Sequence, residues 1–356
     1  MGRKEAVYTD IISMKQFLIL MLIAVFLGCT GSPNNNEEDE EEGETALTDE
    51  ELAAFFPAPG GLPVTSFKEV WGYVIDGQEA ALRRGLPITD VGYFGAEVDM
   101  YGALSKVPNR QNLGSFPGRV HLVVTCGSNP LTYFTLMPGS PQRAALITDL
   151  IAATRNFDGL NIDFENIPPR SGEPFLSFLR ELKEGLPPNK ILSVCLYGRT
   201  RTLQNDVYDY TKIAPLADKI FVMAYDEHWG GGPAGPVSTI RWCRSAAEYS
   251  LRTVGAEKLV MGIPFYGRAW ANQNHHRALI FSTTERLINT YNATVRRENG
   301  TPTFDYNVTI GVKVYYEDEY SISARMVMYK SMGINSIGFW RIGQETPRVW
   351  GLIRIE

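Results

Sequence analysis

The chain has 356 residues, of which 44% are hydrophobic and 11% aromatic, so it can bury a large core. It carries 34 Lys and Arg against 40 Asp and Glu, which gives a formal net charge of −6. A nucleic-acid-binding domain would be basic, so this balance argues against nucleic acid as a partner. The length suits one large domain with an insertion.

The first 29 residues have the pattern of an export signal. Lys15 precedes an apolar run from Phe17 to Leu27. That run is shorter than the roughly 20 residues that a helix needs to span a bilayer. We therefore predict a signal peptide over residues 1–29, with translation starting at either Met1 or Met14.

The signal ends in a sequence typical of a prokaryotic lipobox. Gly28 and Cys29 follow the apolar run, so we predict that Cys29 becomes the lipidated N-terminus. A plain cleaved signal and an uncleaved anchor are the alternatives. Residues 30–60 include the acidic run 37–44 and predict a disordered acidic linker. We expect an exported protein, held at the cell surface by a lipid anchor in the membrane or otherwise secreted.

Eight apolar segments alternate with helical patterns along the rest of the chain. The segments cover residues 70–75, 88–94, 120–125, 157–164, 191–197, 220–225, 259–264 and 336–340. Near-continuous apolar strands separated by helices are typical of a parallel sheet that is buried on both faces. Eight such units predict an α/β fold, a (β/α)8 TIM barrel, over residues 61–356.

The connection between the seventh and eighth predicted strands is unusually long. It contains about 70 residues, more than one helix and its loops require. We therefore predict that residues 271–316 form a small β-rich (α+β) lobe inserted into the barrel.

The fourth predicted strand carries an unusual polar face. Residues 157–165 read Phe-Asp-Gly-Leu-Asn-Ile-Asp-Phe-Glu. Side chains alternate between the faces of a strand, so Asn161, Asp163 and Glu165 share the face opposite to the apolar residues. Burying two acids and an amide costs free energy unless they serve a function. In parallel barrels, functional side chains lie at the C-terminal ends of the strands, where Asp163 and Glu165 fall.

This motif resembles the signature of glycoside hydrolase family 18, the chitinase-like barrels, and the resemblance extends over about the last 290 residues. It implies that Glu165 is the proton donor and that Asp163 orients the acetamido group of the substrate. Many members have Asp at the position of Asn161. The Asn form resembles the chitobiase and spore-germination, peptidoglycan-directed branch. Asn161 is expected to hydrogen-bond Asp163 and to belong to the substrate-binding residues. Asp158, at the start of the motif, is predicted to be structural.

Two further elements resemble the family at the ends of other strands. Met223, Tyr225 and Asp226 match its Met-x-Tyr-Asp element. The match implies that Tyr225 and Asp226 stabilise the acetamido group and the oxazolinium intermediate, and that Met223 belongs to the substrate-binding residues. Trp340 ends the eighth strand, where the family places the indole on which the reacting sugar stacks. Tyr73, in the first strand, is a candidate groove wall. Packing in the core is the alternative for Trp340 and Tyr73.

Other candidates are weaker. Tyr266 could line the groove, Arg268 and Gln344 could bind sugar hydroxyls, and Trp229 could cover the groove from a Gly-rich loop. Cys126 and Cys195 are expected to be buried thiols.

The resemblance implies a glycoside hydrolase that cleaves β-linkages of N-acetylglucosamine-containing glycans, of the chitinase or N-acetylglucosaminidase type. In substrate-assisted retaining catalysis the sugar's own acetamido oxygen attacks the anomeric carbon, so the protein supplies an acid and a group that holds the acetamide. The substrate could be a chitooligosaccharide, peptidoglycan or an N-glycan, cleaved internally or at one end. We predict a monomer that needs no metal and no organic cofactor. The alternative is a non-catalytic, lectin-like surface protein.

Overall fold

A computed structural model of the chain describes residues 48–56, 61–127, 130–272, 275–307 and 311–356. The predicted signal peptide, with its lipidation site Cys29, and most of the predicted linker lie outside the described residues. Within the described ranges, no helix has the length and apolar character needed to cross a membrane.

Strands and helices alternate along the chain. The strands are β1 (Thr65–Phe67), β2 (Glu69–Ile75), β3 (Asp90–Val98), β4 (Leu104–Ser105), β5 (Arg119–Cys126), β6 (Gly159–Asp163), β7 (Ile191–Tyr197), β8 (Lys219–Met223), β9 (Leu259–Pro264), β10 (Tyr266–Asn272), β11 (His275–Ile280), β12 (Arg296–Glu298), β13 (Thr301–Asn307), β14 (Gly311–Tyr315), β15 (Ser336–Trp340) and β16 (Ile353–Ile355). The α-helices are α1 (Asp49–Ala53), α2 (Pro141–Thr154), α3 (Gly172–Gly185), α4 (Tyr210–Ile213), α5 (Ile240–Thr253), α6 (Phe281–Tyr291) and α7 (Glu319–Ser331).

Eight parallel strands close into a barrel in the order β2, β3, β5, β6, β7, β8, β9 and β15. Closure is complete because β15 pairs with β2 through Ile337 and Val70, and β2 pairs with β3. These are the eight predicted strands, so the predicted TIM barrel is confirmed. The first two crossovers differ from the regular pattern, since they contain short 3₁₀ helices at Glu79–Ala81 and Arg110–Leu113.

The barrel has an outer and an inner core. Leu160 and Ile162 of β6 point outwards and are fully buried among the residues of the surrounding helices. Helix α2 starts where Ser140 accepts a hydrogen bond from the Arg143 backbone and Pro141 occupies the first turn. The inside of the barrel holds a second apolar cluster made of Trp71, Tyr73, Val123, Cys195, Phe221 and Val260. The barrel is therefore filled, and the C-terminal mouth of its strands is the place for a site.

Asp158 acts as a structural residue, as predicted. Its Oδ2 accepts hydrogen bonds from the Val120 backbone at 2.8 Å and from Arg110 at 3.3 Å. The carboxylate thus ties the start of β6 to the neighbouring β5.

The inserted lobe is present and contains both sheet and helix. Its antiparallel sheet has the order β11, β10, β14, β13 and β12, and α6 follows β11. The sheet begins at Tyr266, earlier than residue 271, because β10 continues the chain almost directly from β9. The lobe is therefore joined to the barrel at the C-terminal end of β9, which lies at the mouth.

The end of the predicted linker is ordered, which corrects the expectation for residues 30–60. Helix α1 starts with a reciprocal capping pair, in which Thr48 and Glu51 bond each other's backbone N–H groups. Leu52 is buried in the outer core, and the ring of Phe56 stacks on Tyr320 at 5.6 Å. The apolar residues at positions 52, 55 and 56 can bury surface, whereas the acidic run before them cannot.

Candidate active site

Two carboxyl groups lie at the mouth of the barrel. Asp163 ends β6 and is 7% exposed, and its Oδ1 is buried without a hydrogen-bond partner in the described part of the chain. Glu165 follows two residues later with its side chain open to solvent. Its Oε2 accepts a hydrogen bond from the Tyr197 hydroxyl at 2.9 Å.

Both acids are shifted towards the protonated form. Burial raises the pKa of Asp163 well above its usual range, and the charge of Glu165 raises it further. Desolvation by the surrounding barrel also raises the pKa of Glu165, although its carboxyl reaches solvent. The hydrogen bond from Tyr197 opposes this shift, and the charge of Asp226 adds to it. The pair is therefore suited to retain a proton at a pH where an isolated carboxyl would have lost it.

Asn161 occupies a deeper layer than predicted. It is fully buried, and its Oδ1 accepts hydrogen bonds from the Tyr73 hydroxyl at 3.1 Å and from Cys195 Sγ at 3.3 Å. Its Nδ2 donates to Ser193 at 2.8 Å. The expected hydrogen bond to Asp163 is absent, and a buried Asn161 cannot contact substrate. Asn161 precedes Asp163 by two residues on the same face of β6. This spacing places the Asn161 side chain one layer below the mouth.

Tyr73 is also a supporting residue, so its prediction as a groove wall is wrong. It is 1% exposed, and its ring lies beneath Trp340 with centroids 5.5 Å apart. Phe94 contacts the same indole edge-to-face at 5.1 Å. The two rings hold Trp340 half-buried at the mouth, and Met223 packs against the inner cluster from the end of β8.

Tyr225 and Asp226 follow β8 on the same side of the barrel. Tyr225 packs edge-to-face on Tyr266 at 6.2 Å. A side chain at Gly262 would lie 2.9 Å from the Tyr225 ring, so this glycine provides the space for it. Asp226 has a left-handed backbone, with φ 60°, and its Oδ1 binds both Nε and Nη2 of Arg268. Arg268 is buried in this ion pair, contrary to the expectation that it could bind sugar hydroxyls.

Three residues near the acids were not predicted as site residues, although Cys195 was expected to be a buried thiol. Tyr197 ends β7, Phe94 lies in β3, and the thiol of Cys195 lies 3.4 Å from the Tyr73 hydroxyl. Cys195 is buried and free, as predicted, but it also takes part in the polar network below Asp163. Burial raises its pKa well above the usual range, so it is a neutral thiol. The position of Tyr197 at a strand end was the available signal.

The chain is similar in sequence to known bacterial proteins. The chain is 26% identical over 290 residues to the cortical fragment-lytic enzyme of Bacillus anthracis, covering 75% of this chain and 67% of that protein. It is 29% identical over 215 residues to the uncharacterized glycosylase YvbX of Bacillus subtilis, covering 57% and 62%. The chain thus spans about two thirds of the length of these relatives.

Solved structures show the same fold. The spore cortex-lytic enzyme SleL of Bacillus cereus superposes with a TM-score of 0.73 at 25% identity, covering 82% of this chain and 76% of that one. A chitinase from Chromobacterium violaceum superposes with a TM-score of 0.73 at 21% identity, covering 80% and 97%. The sequence profile of glycosyl hydrolases family 18 matches residues 119–345, more than half of the chain, and includes both acids and the β8 element. The chain therefore belongs to glycosyl hydrolases family 18.

Proposed function

We propose that this protein hydrolyses β-glycosidic bonds in glycans that contain N-acetylglucosamine, with retention of configuration and with assistance from the substrate's acetamido group. The observation that carries the proposal is the unpartnered Oδ1 of Asp163 at the barrel mouth, next to Glu165. A buried polar atom without a partner costs free energy. An acetamido N–H of the substrate would supply the missing hydrogen bond. Family membership and the relatives named as lytic enzymes support the same reaction class.

Glu165 would act first as acid and then as base. Its raised pKa favours the protonated form that donates to the leaving oxygen of the glycosidic bond. The acetamido oxygen would attack the anomeric carbon as that bond breaks, which forms an oxazolinium intermediate. Glu165, now ionised, would take a proton from the water that opens the intermediate. The cycle returns Glu165 to its protonated state.

Tyr225 and Asp226 would hold the other side of the acetamido group. The Tyr225 hydroxyl is a neutral donor, because burial raises its pKa well above the usual range. Asp226 lies close enough to raise the pKa of Glu165, so its negative charge would also stabilise a positive intermediate between them.

Apolar side chains would bind the sugar rings. Trp340 offers an indole face at the centre of the mouth, and Met223 lies beside it. Loops that follow barrel strands expose further large apolar residues, namely Met100, Tyr101, Met137, Leu203 and Trp229. We propose these side chains as contacts for sugars on either side of the cleaved bond.

We also propose that the protein is exported, anchored at the cell surface through a lipid on Cys29, and monomeric. The apolar run before Cys29 and the acidic linker after it support export and anchoring. Labelling of the full chain with a radioactive fatty acid should mark the wild type and leave Cys29→Ala unlabelled. Label in both proteins, or in neither, would contradict lipidation at this residue.

The enzymatic proposal is tested with the mature chain, residues 30–356. Fluorogenic chitooligosaccharides and soluble peptidoglycan fragments should be hydrolysed by the wild type, with Glu165→Gln about 1,000-fold slower. The anomer released first, read by NMR, should have the configuration of the substrate. A folded wild type that binds these glycans without cleaving them would support the lectin-like alternative.

A further inference from the structure

We propose that Tyr197 is a positioning residue for Glu165, which it orients through a hydrogen bond from its hydroxyl to Oε2. The inference rests on the proposed function, because it concerns the acid of that reaction. Tyr197 ends β7, the neighbour of the strand that carries the motif, and its hydroxyl lies 2.9 Å from Oε2. Within the described part of the chain, Oε2 of Glu165 accepts this hydrogen bond from a side chain. Oε1 is left to carry the proton that is transferred to the substrate.

Tyr197 is itself held from three directions. Its ring packs edge-to-face on Tyr208 with centroids 5.2 Å apart. The guanidinium of Arg199 lies over the ring at 5.6 Å from its centroid. Its backbone carbonyl accepts a hydrogen bond from the Tyr210 hydroxyl at 2.5 Å. A side chain with these contacts is oriented before substrate arrives, so it can restrict the rotamer of an exposed carboxyl.

The surroundings of Glu165 show why the reaction needs this hydrogen bond. Glu165 interacts electrostatically with the carboxyls of Asp163 and Asp226 and with the neutral hydroxyls of Tyr208 and Tyr225. Burial and the charge of Asp226 raise the pKa of Glu165, and Tyr197 lowers it. Arg199 contacts the ring of Tyr197 and pairs with Asp206, so its charge is partly neutralised.

A retaining reaction places two opposite demands on one group. Glu165 must give up its proton in the first step and accept one in the second. If desolvation by the barrel and the charge of Asp226 acted without Tyr197, the carboxyl would hold its proton too strongly to serve as the base. Tyr197 stabilises the ionised form, because a hydroxyl donates to a carboxylate more strongly than to a neutral acid. It therefore keeps the acid able to work in both steps.

The direct test is the titration of Glu165 by carboxyl ¹³C NMR, in the mature wild type and in Tyr197→Phe. The Glu165→Gln variant identifies the signal. We expect the pKa of Glu165 to rise by about one pH unit when the hydroxyl is removed. An unchanged or lowered pKa would overturn the inference. This measurement does not depend on turnover, so it decides the point even if the proposed function fails.

Kinetics provide the second readout. In Tyr197→Phe the alkaline limb of kcat/KM should move upwards by the same amount, and kcat on chitooligosaccharides should fall about tenfold. The loss should shrink on a dinitrophenyl glycoside, whose leaving group needs little protonation. Equal losses on both substrates with an unmoved pH limb would indicate a merely structural role. A folded wild type without turnover would count against the proposed function, and the titration would still stand.

The lobe offers a matched control. Tyr315→Phe also removes a tyrosine hydroxyl that donates to a glutamate, because Tyr315 binds Glu298 at 2.5 Å. That pair lies on the antiparallel sheet, so the control should leave the titration of Glu165 and the pH profile unchanged. Comparing the two variants separates the specific hydrogen bond to Glu165 from a general effect of removing a tyrosine hydroxyl that donates to a glutamate.

Discussion

The carboxylate of Asp226 and the guanidinium of Arg268 form an ion pair that links the barrel to the inserted lobe. Oδ1 of Asp226 lies 3.0 Å from Nε and 2.7 Å from Nη2 of Arg268. Asp226 follows β8, whereas Arg268 lies on β10, the strand that begins the lobe. The lobe therefore orients a carboxylate next to the proposed acid.

Breaking this pair should affect both stability and activity. In Arg268→Ala the carboxylate of Asp226 loses its partner in a partly buried place, which should cost about 1 to 3 kcal/mol of unfolding free energy. We expect kcat to fall at least tenfold, since Asp226 is no longer oriented. Urea denaturation and steady-state kinetics measure the two effects. The exposed pair of Arg296 and Asp305 is the control, and Arg296→Ala should change both quantities little. Equal effects in the two variants would refute a special role for Arg268.

Removing the charge of Asp163 should stabilise the protein while abolishing activity. A carboxyl whose pKa is raised by folding binds its proton more tightly in the folded state than in the unfolded state. The free energy of unfolding therefore falls as pH rises above the ordinary carboxyl pKa of about 4. Asp163→Asn removes this loss, so its advantage over the wild type should grow from pH 4 to pH 8. Thermal unfolding of both proteins between pH 4 and pH 8 measures this difference in stability. A difference that shifts in favour of the wild type as pH rises would contradict the prediction.

Acid stability should depend on a different carboxylate, at the other end of the barrel. Burial would raise the pKa of Asp90, but hydrogen bonds from His121, Arg119 and Thr89 outweigh it and lower the pKa to about 2. A lowered pKa contributes stability above the unfolded value, and this contribution is lost as pH falls from about 4 to 2. At neutral pH, Asp90→Asn should cost about 2 kcal/mol, with a smaller deficit at pH 2. Asp305→Asn, at an exposed position, is the control. A deficit that does not change with pH would refute the linkage.

The exposed indole of Trp229 should matter for long substrates alone. It is 54% exposed in the loop after β8, where it can stack on a sugar distant from the cleaved bond. Trp229→Ala should raise KM for a hexasaccharide about fivefold, the equivalent of roughly 1 kcal/mol, with kcat unchanged. Kinetics on a disaccharide glycoside should show no effect. Trp340→Ala is the comparison, and it should lower kcat on both substrates because the reacting sugar would lose its platform. A loss of kcat in Trp229→Ala would place this residue in the centre of the site.

The alternation of apolar and polar residues was sufficient to predict the barrel and the positions of its two acids. Strand side chains alternate whatever surrounds them, so the face shared by Asp163 and Glu165 could be read from spacing. The same alternation could not predict how deep in the barrel each inward-facing side chain lies. Asn161 and Tyr73 lie on inward faces, as expected, but one layer lower than a substrate-binding residue must lie. Depth depends on how the barrel closes and fills, and that is a property of all eight strands together.

By itself, the sequence determined the eight strands, the inserted lobe, the family motif and the two acids, because each depends on residues that are close along the chain. The tertiary structure alone decided which groups touch those acids. Tyr197 reaches Glu165 across 32 residues, and Arg268 reaches Asp226 across 42. Such contacts depend on strand order and on the position where a strand ends, and no local pattern of side chains encodes them. The pKa values of the acids follow from these contacts and from burial, so their chemistry was decided by the fold.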